Sequence, residues 1–300
     1  MKNVLRSLLK KLKNSKEYNI LKIINSTQEM QEYISLIKKK NLDISFIPTM
    51  GNLHDGHLSL IKKSFKYKTK RIVSIYINPL QFNDKNDYMS YPRTINSDID
   101  ILKELEIDCL FLPKEEINIQ TDSISKEQLP DFLNYLCGKY RPGHFLGVYK
   151  IVKKLFDLIK PNYVFFGKKD FQQILLIKYL IKKHYKNLIH LICLETIRDK
   201  YGLALSSRND KLTNKEKKLA SNVSIELIKI KENIRIDGLP SFQRLKNECI
   251  KKLSNDSIKV EYLELLNENN LESAKNDTKN LMIFISFYLR DIRLIDNIKL

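Results

Sequence analysis

The chain has 300 residues, of which 43% are hydrophobic, and it carries a formal net charge of +18. This length allows one large or two ordinary domains with a sizeable core. The strongest apolar run, Leu281 to Leu289, is too short to cross a bilayer, so the sequence excludes a membrane-spanning helix and predicts a soluble protein without a membrane partner.

The positive charge has two interpretations. The chain has 53 Lys and Arg residues against 35 Asp and Glu residues, which is typical of proteins that bind nucleic acid. Lysine, however, occurs in nearly every block of the sequence, and no arginine-rich or aromatic-interleaved segment accompanies it. We therefore favour a lysine-rich composition spread over the surface, and we predict no specific nucleic-acid partner.

The cysteines and the N-terminus bear on where the protein works. Cys109, Cys137, Cys193 and Cys249 are far apart and have neither Cys-x-x-Cys nor metal-ligand spacing, which suits a reducing, cytoplasmic compartment. Met1–Lys16 is basic and contains no acidic residue, as in an organellar presequence or an amphipathic helix on a membrane surface. We favour the third alternative, an ordinary N-terminal extension over residues 1–19.

The first two thirds of the chain alternate short apolar runs with segments of helical periodicity. The predicted strands are Ile44–Pro48, Arg71–Asn78, Cys109–Leu112, Tyr163–Gly167 and Ile189–Glu195. The predicted helices are Leu58–Tyr67, Ile95–Leu105 with Thr94 as a candidate cap, Val148–Ile159 and Phe171–His184. This alternation favours an α/β fold, a Rossmann-like parallel sheet with helices on both faces.

Ligands of such sheets bind at the carboxyl ends of the strands. Three polar segments directly follow predicted strands, namely Pro48–Gly51, Asn78–Gln81 and Gly167–Asp170. We expect them to share one rim.

The pattern changes after about residue 196. Thr213–Glu216 is a capping-box signature and predicts a helix to about Lys231, with a second helix over about Ser241–Leu253. Three strand-like runs follow, at Ile258–Leu265, Leu281–Tyr288 and Arg290–Asn297. We therefore predict two domains, residues 1–196 containing the parallel sheet and residues 197–300 forming a smaller α+β domain.

The segment from Phe46 to His57 is the most informative part of the chain. It predicts a buried strand, a sharp turn and a helix whose first residues include His54, Gly56 and His57. A helix N-terminus offers free backbone N–H groups to an anion such as a triphosphate. Two histidines at this spacing are also found on surfaces and in metal sites, but a zinc site would need a third ligand, and only the distant His144 is a candidate.

Five segments in order give this pattern a family resemblance. They are PTMGNLHDGHLSL at 48–60, SIYINPLQFNDKNDYMSYPRT at 74–94, residues 141–173, TIRDKYGLALSSRN at 196–209 and RLIDNI at 293–298. Together they resemble the pantoate–β-alanine ligase family over about residues 20–300. The resemblance implies that ATP and (R)-pantoate give pantoyl adenylate and pyrophosphate, with Mg²⁺ as cofactor. β-Alanine then attacks the adenylate, which releases pantothenate and AMP. It also implies a homodimer and a mobile second domain that closes over the site as a lid.

The same resemblance assigns residues to ATP. His57 matches the proton donor, and His54 and Lys169 are the other candidate catalytic residues, because they would stabilise charge on the phosphates. The implied ATP contacts are Met50, Gly51, Asn52, Leu53, His54, Asp55, Gly56, His57, Gly167, Lys168, Lys169, Asp170, Ile197, Leu205, Ser206, Ser207 and Arg208.

The resemblance also assigns residues to the other substrates. Gln81 and Gln173 match pantoate-binding positions, that of Gln81 also contacting β-alanine, and Asn78 receives a weaker role on the same rim. An amide suits this task because it both donates and accepts hydrogen bonds. Asp170 is a candidate Mg²⁺ ligand, a helix cap, or both. His144 either assists a substrate or stabilises its loop.

Four positions depart from the family pattern. Lys168 stands where glutamate is usual and reverses a charge beside Lys169, while Lys150, Asn86 and Tyr201 replace threonine, glutamate and aspartate. None removes a proposed catalytic group, so they bear on affinity more than on the reaction. Two other functions stay open: a different nucleotidyltransferase with the same histidine motif, and a noncatalytic nucleic-acid-binding descendant.

Overall fold

The computed structural model describes residues 20–114, 117, 129–255, 258–275 and 278–300. The predicted N-terminal extension, residues 1–19, therefore lies outside the described residues. Within the described ranges, no helix is both long and apolar enough to cross a membrane.

The described strands form a six-stranded and a three-stranded sheet. The strands of the larger sheet are β1 (Lys22–Ile24), β2 (Asp43–Thr49), β3 (Thr69–Ile75), β4 (Cys109–Phe111), β5 (Tyr163–Gly167) and β6 (His190–Leu194). Those of the smaller sheet are β7 (Ile258–Asn267), β8 (Leu281–Leu289) and β9 (Ile292–Lys299).

The helices surround these sheets. Those of the first part of the chain are α1 (Thr27–Lys39), α2 (Asp55–Ser64), α3 (Lys85–Met89), α4 (Ile95–Glu104), α5 (Leu136–Tyr140), α6 (His144–Ile159) and α7 (Phe171–His184). Those of the second part are α8 (Asn214–Ala220), α9 (Asn222–Asp237) and α10 (Phe242–Asn255).

The larger sheet is parallel, with strand order β1-β4-β3-β2-β5-β6, as predicted. From β2 the chain proceeds outward through β3 and β4, and it then returns to the other side of β2 to form β5 and β6. The chain connections therefore run in opposite directions on the two sides of the β2–β5 pair. The carboxyl ends of β2 and β5 flank the crevice where such sheets bind ligands.

Alternate side chains of each strand enter two different hydrophobic cores. Phe46 and Val164 pack with α1, α6 and α7 on one face, whereas Ile47 and Phe165 pack with α2 and α4 on the other. A strand buried on both faces reads as a continuous apolar run. The prediction of helices on both faces is confirmed.

The smaller sheet is antiparallel, with order β7-β8-β9. Its central strand β8 also alternates between two cores. Ile283, Ile285 and Phe287 pack with α9 and α10. Met282 and Phe284 instead join the core of the larger sheet, where the Phe284 ring lies 5.7 Å from that of Phe171 at the start of α7.

Several predicted boundaries were wrong. The helix expected from Thr213 has its capping box, but it breaks at Ser221 and resumes as α9. The hydroxyls of Ser221 and Ser224 donate to backbone carbonyls three residues earlier, a bond that competes with regular helix. Thr94 is the N-cap of α4, but it makes no capping hydrogen bond.

Other differences are shifts or omissions. The helix predicted from Leu58 begins at Asp55, and the strand predicted from Arg290 begins at Ile292, because Arg290 has a φ of 55° in the hairpin turn. The elements β1 and α1 were not predicted at all. Strand β1 has only 3 residues, too few to show a period.

Candidate active site

The loop between β2 and α2 is fixed by a buried carboxylate. Asp98 of α4 is only 1% exposed and accepts hydrogen bonds from the backbone N–H groups of Asn52 (2.9 Å) and Leu53 (2.8 Å). Gly51 has a φ of +80°, and a Cβ there would lie 3.1 Å from an Asp98 oxygen. The turn therefore needs glycine, and its conformation is set within the protein.

A cavity of about 240 Å³ opens at the carboxyl ends of β2 and β5. Most of the predicted site residues line it: Met50, His54, Gly56, His57, Asn78, Gln81, Gly167, Lys169, Asp170, Gln173, Ile197, Leu205, Ser206, Ser207 and Arg208. The prediction that three strand ends share one rim is confirmed.

Five predicted ATP contacts do not belong to the cavity wall formed by the described residues. They are Gly51, Asn52, Leu53, Asp55 and Lys168. The first three belong to the loop that Asp98 holds, and their direct contact with ATP stays a prediction.

The two motif histidines form a capping box at the start of α2. His54 Nδ1 accepts the N–H of Gly56 at 3.1 Å, and His57 Nδ1 accepts the N–H of His54 at 3.4 Å. Because each Nδ1 accepts a backbone proton, each neutral ring carries its own proton on Nε2. The ring centroids are 4.1 Å apart, so the cavity wall contains two adjacent N–H donors.

Both histidines are neutral at pH 7. Burial, aided by the ammonium group of Lys169, lowers the pKa of His54 from 6.5 to about 4. Burial, followed by the effects of His54 and Lys169, holds the pKa of His57 well below its ordinary value. The pair can therefore donate hydrogen bonds to phosphate oxygens without first losing or gaining a proton.

Lys169 and Asp170 lie in a 3₁₀ turn, Lys168–Asp170, between β5 and α7. Asn297 of β9 fixes this turn, because its Nδ2 donates to the carbonyls of Lys168 (3.0 Å) and Lys169 (2.9 Å). Asp170 occupies the N-cap position of α7 without a capping hydrogen bond, so the capping alternative was wrong. Its carboxylate instead lines the cavity.

Lys168, the departure beside Lys169, forms an ion pair with Glu195. Its charge thus has a partner on the neighbouring strand end, and Glu195 is 81% exposed at the outer rim. The reversed charge at Lys168 is therefore compensated locally.

The turn Pro79–Gln81 carries the predicted pantoate contact. Gln81 donates from Nε2 to the sulfur of Met50. Asn78 is 1% exposed and its amide is already bonded, donating to the carbonyl of Gly147 at 3.0 Å and accepting from Leu80 N–H at 3.3 Å. Asn78 therefore shapes the turn that presents Gln81.

Two further residues support the backbone of Gln81. The carbonyl of Gln81 lies 2.6 Å from His144 Nδ1 and accepts from Arg141 Nη2 at 3.1 Å. Burial, aided by the Arg141 guanidinium, lowers the pKa of His144 to about 3. His144 is therefore neutral, and its loop-stabilising role is the one these contacts support.

The segment Leu205–Arg208 reaches the cavity from the second part of the chain and is docked by polar contacts. Arg208 forms a bidentate pair with Asp87 of α3, at 3.2 Å from Nε and 2.6 Å from Nη2. Asn52 donates to Asp210 at 2.6 Å and to the Ser207 carbonyl at 3.4 Å. The guanidinium predicted to bind ATP thus has a protein partner in this conformation.

Sequence reasoning missed three residues of this site. Asp98 occupies a buried position of an amphipathic helix, and a carboxylate on an apolar face was a readable signal. Asp87 and Arg141 had no such signal, because their partners lie 121 and 60 residues away in the chain. Among the described residues, no group of three or more His, Cys, Asp or Glu side chains is placed to hold a metal ion.

Comparisons with known proteins agree on one family. A family model described as pantoate-beta-alanine ligase matches residues 22–299. The chain is 40% identical over 282 residues to a pantothenate synthetase of Azobacteroides pseudotrichonymphae, covering 93% of this chain and 99% of that protein.

Two crystal structures are similar along almost the whole chain. One is pantothenate synthetase from Thermus thermophilus, with a TM-score of 0.83 and 27% identity over 93% of this chain and 99% of that one. The other is pantoate-beta-alanine ligase from Francisella tularensis complexed with beta-gamma ATP and beta-alanine, with a TM-score of 0.75 and 37% identity over 93% and 97%.

Proposed function

The chain belongs to the pantoate–beta-alanine ligase family, and from that premise we propose how its residues carry out the reaction. The activity is the ATP-dependent condensation of (R)-pantoate with β-alanine to pantothenate, AMP and pyrophosphate through a pantoyl adenylate. One observation carries the assignment of roles. Two neutral histidine donors and a lysine share a single cavity wall with the amides of Gln81 and Gln173.

In the first step, a carboxylate oxygen of pantoate attacks the α-phosphorus of ATP. The bond from that phosphorus to the oxygen bridging to the β-phosphate breaks, and pyrophosphate leaves. Negative charge grows on the phosphate oxygens, where His54, His57 and Lys169 supply hydrogen bonds and positive charge. Removing one such preorganised donor typically costs about a hundredfold to a thousandfold in rate.

In the second step, the amine of β-alanine attacks the acyl carbon. The C–N bond forms, the bond from carbon to the AMP oxygen breaks, and the nitrogen, initially an ammonium group, loses two protons to solvent. Gln81 and Gln173 would hold the pantoyl group through its hydroxyls, since amides both donate and accept. Water must be kept from the adenylate during this step.

The second part of the chain is suited to excluding that water. We assign residues 1–196 and 197–300 to two domains, the second acting as a lid that carries Ser206, Ser207 and Arg208 over the triphosphate. In this conformation Arg208 is bonded to Asp87, so ATP would have to exchange phosphate oxygens for that carboxylate.

The proposed cofactor and setting follow the family resemblance. Mg²⁺ prefers carboxylate and phosphate oxygens, and the uncapped carboxylate of Asp170 in the cavity wall fits this preference. Bound there with ATP, the metal would neutralise phosphate charge. We also propose a homodimer and a cytoplasmic location, with no specific nucleic-acid partner.

The first experiment is ATP-dependent AMP release, measured with and without (R)-pantoate and β-alanine in the presence of Mg²⁺. We expect AMP and pantothenate only when both acids are present. A nucleotide retained in the product, without free AMP, would instead assign the chain to another class of nucleotidyltransferase. Tight nucleic-acid binding without AMP release would favour a noncatalytic descendant.

A further inference from the structure

Three cationic side chains line the main cavity, namely Lys169, Arg141 and Arg208. Arg208 already has a carboxylate partner in Asp87. Lys169 and Arg141 form no ion pair among the described residues, so these two cavity cations have no carboxylate in direct contact. Lys169 lies on the turn assigned to the phosphates, whereas the positive charge of Arg141, beyond its hydrogen bond to the Gln81 carbonyl, has no role assigned so far.

The partners of Arg141 are neutral. Its Nη2 donates to the carbonyl of Gln81 at 3.1 Å, and its Nη1 lies 3.1 Å from His144 Nε2. His144 Nδ1 lies 2.6 Å from the same carbonyl and therefore carries the proton, which makes Nε2 the acceptor from Arg141. Burial, followed by the charge of Arg208, lowers the pKa of Arg141 to about 10, and the charge of Asp87 opposes this shift only in part.

Arg141 is fixed close to the reacting end of the site. It is the C-cap residue of α5, and the next helix, α6, begins at His144. Helix α6 packs directly on the turn Pro79–Gln81, because a Cβ at Gly147 would lie 2.3 Å from the Leu80 carbonyl oxygen. Arg141 also lines a second, adjoining cavity of about 40 Å³ with Lys169 and Asp170.

The wall of the adjoining cavity combines apolar side chains with a few polar groups. Gln172 lines it, is 5% exposed and uses its Nε2 for two backbone carbonyls, at 2.8 Å each, while its buried Oε1 has no described partner. A cavity wall that contains an unsatisfied acceptor and a guanidinium without an ion-pair partner among the described residues suits a polar occupant rather than an apolar one.

The reaction contains an anion that needs such a cation. The carboxylate of pantoate loses its charge when the adenylate forms, and the phosphates have the histidines and Lys169. The carboxylate of β-alanine, in contrast, takes no part in bond making and keeps its charge into the product. It therefore needs a cation that remains available during the second step.

We propose that Arg141 binds the carboxylate of β-alanine and so selects amines that carry a carboxylate two carbons away. This inference rests on the proposed function, and it adds a substrate-binding residue that the sequence resemblance did not assign. The planar guanidinium can use N–H groups not taken by Gln81 and His144, and a charged carboxylate pairs with it more strongly than a neutral hydroxyl does.

The test compares β-alanine with 3-aminopropan-1-ol, in which a hydroxymethyl group replaces the carboxylate. Amide formation is measured at saturating ATP and pantoate for the wild type, Arg141→Gln and Arg141→Lys. Pyrophosphate release from ATP and pantoate alone reports the first step separately. We expect Arg141→Gln to lower kcat/KM for β-alanine between about tenfold and a hundredfold, without changing it for 3-aminopropan-1-ol. Arg141→Lys should recover part of the preference.

Other outcomes separate the claims. Equal losses for both amines in Arg141→Gln, with slower pyrophosphate release and a higher KM for pantoate, would mean that Arg141 only supports Gln81 and would overturn the proposal. If Arg141→Gln does not fold, inhibition of the wild-type enzyme by propionate still tests the proposal. Propionate should then compete with β-alanine but not with pantoate, and failure to compete overturns the carboxylate site. No pantoate-dependent pyrophosphate from the wild type would overturn the proposed function itself.

Discussion

Gly147 offers the sharpest test of how α6 positions the substrate turn. Its Cα faces the turn Pro79–Gln81, and an added Cβ would lie 2.3 Å from the Leu80 carbonyl oxygen and 2.8 Å from the Gln81 nitrogen. Ordinary C···O contacts are about 3.3 Å or longer, so Gly147→Ala must separate helix and turn by about 1 Å.

Two effects of Gly147→Ala oppose each other. Alanine in a helix interior is favoured over glycine by about 0.5–1 kcal/mol. Overpacking against a backbone that cannot rotate away costs about 1–3 kcal/mol. The clash should win, giving a net loss on the order of 1 kcal/mol and a Tm about 2–4 °C lower. A misplacement of about 1 Å at a substrate contact costs on the order of a hundredfold in rate.

The assay is pyrophosphate release at varied pantoate, combined with thermal unfolding. Gly147→Ala should raise the KM for pantoate and lower the adenylation rate, whereas the KM for ATP should stay near that of the wild type. Gly167→Ala is the steric control for stability, since a Cβ there meets nothing within 4 Å and should not lower Tm. A higher Tm for Gly147→Ala, with unchanged use of pantoate, would refute the argument that Gln81 depends on this contact.

Three further predictions concern single groups of the site. Because folding lowers the pKa of His54 from 6.5 to about 4, the unfolded chain binds more protons between these values, so the unfolding free energy falls as pH drops through that window. His57 and His144 also have lowered pKa values and contribute to the same slope. His54→Asn, which keeps a capping side chain, should therefore reduce the slope in urea titrations, and an unchanged slope would count against the assignment. Lys169→Met should slow adenylation by at least about a hundredfold, whereas Lys182→Met, at an exposed position, should not change the rate. Equal adenylation rates in the two variants would refute the assignment of Lys169 to the active site. Asp98→Ala leaves one buried and one partly buried N–H group unpaired and should lower the free energy of unfolding in urea by about 2–4 kcal/mol. The exposed Asp100→Ala on the same helix should cost little, and similar values for the two variants would refute the role of Asp98.

The parallel sheet could be predicted because burial on both faces leaves a direct trace in the sequence. Phe46 and Ile47 enter opposite cores, so their strand reads as a continuous apolar run bounded by a turn. The shared rim could be predicted because the strands are parallel. The polar residues that follow the apolar runs must then meet at the carboxyl edge of the sheet. Strand β1 left no comparable pattern over its 3 residues.

The contacts that tune the site could not be predicted. Arg208 and Asp87 are 121 residues apart, and nothing in either local pattern indicates the other. The histidine motif indicated an anion site, but not that both Nδ1 atoms would accept backbone protons and so fix Nε2 as the donor. Such details depend on tertiary packing rather than on spacing, and so does the break at Ser221, where hydroxyl-to-carbonyl bonds replace regular helix.

The hydrogen bonds from Asn297 to the carbonyls of Lys168 and Lys169 have a consequence for synthesis of the protein. A ribosome makes Lys169 128 residues before Asn297, and Phe284, which packs on the first residue of α7, also comes late. The larger sheet can begin to form as it emerges, since domains usually fold from the N-terminal side. The turn Lys168–Asp170, however, gains its fixed geometry only when β9, which contains Asn297, joins β8. A nascent chain should therefore become competent for adenylation in one late event, after the last described strand, β9, has left the exit tunnel.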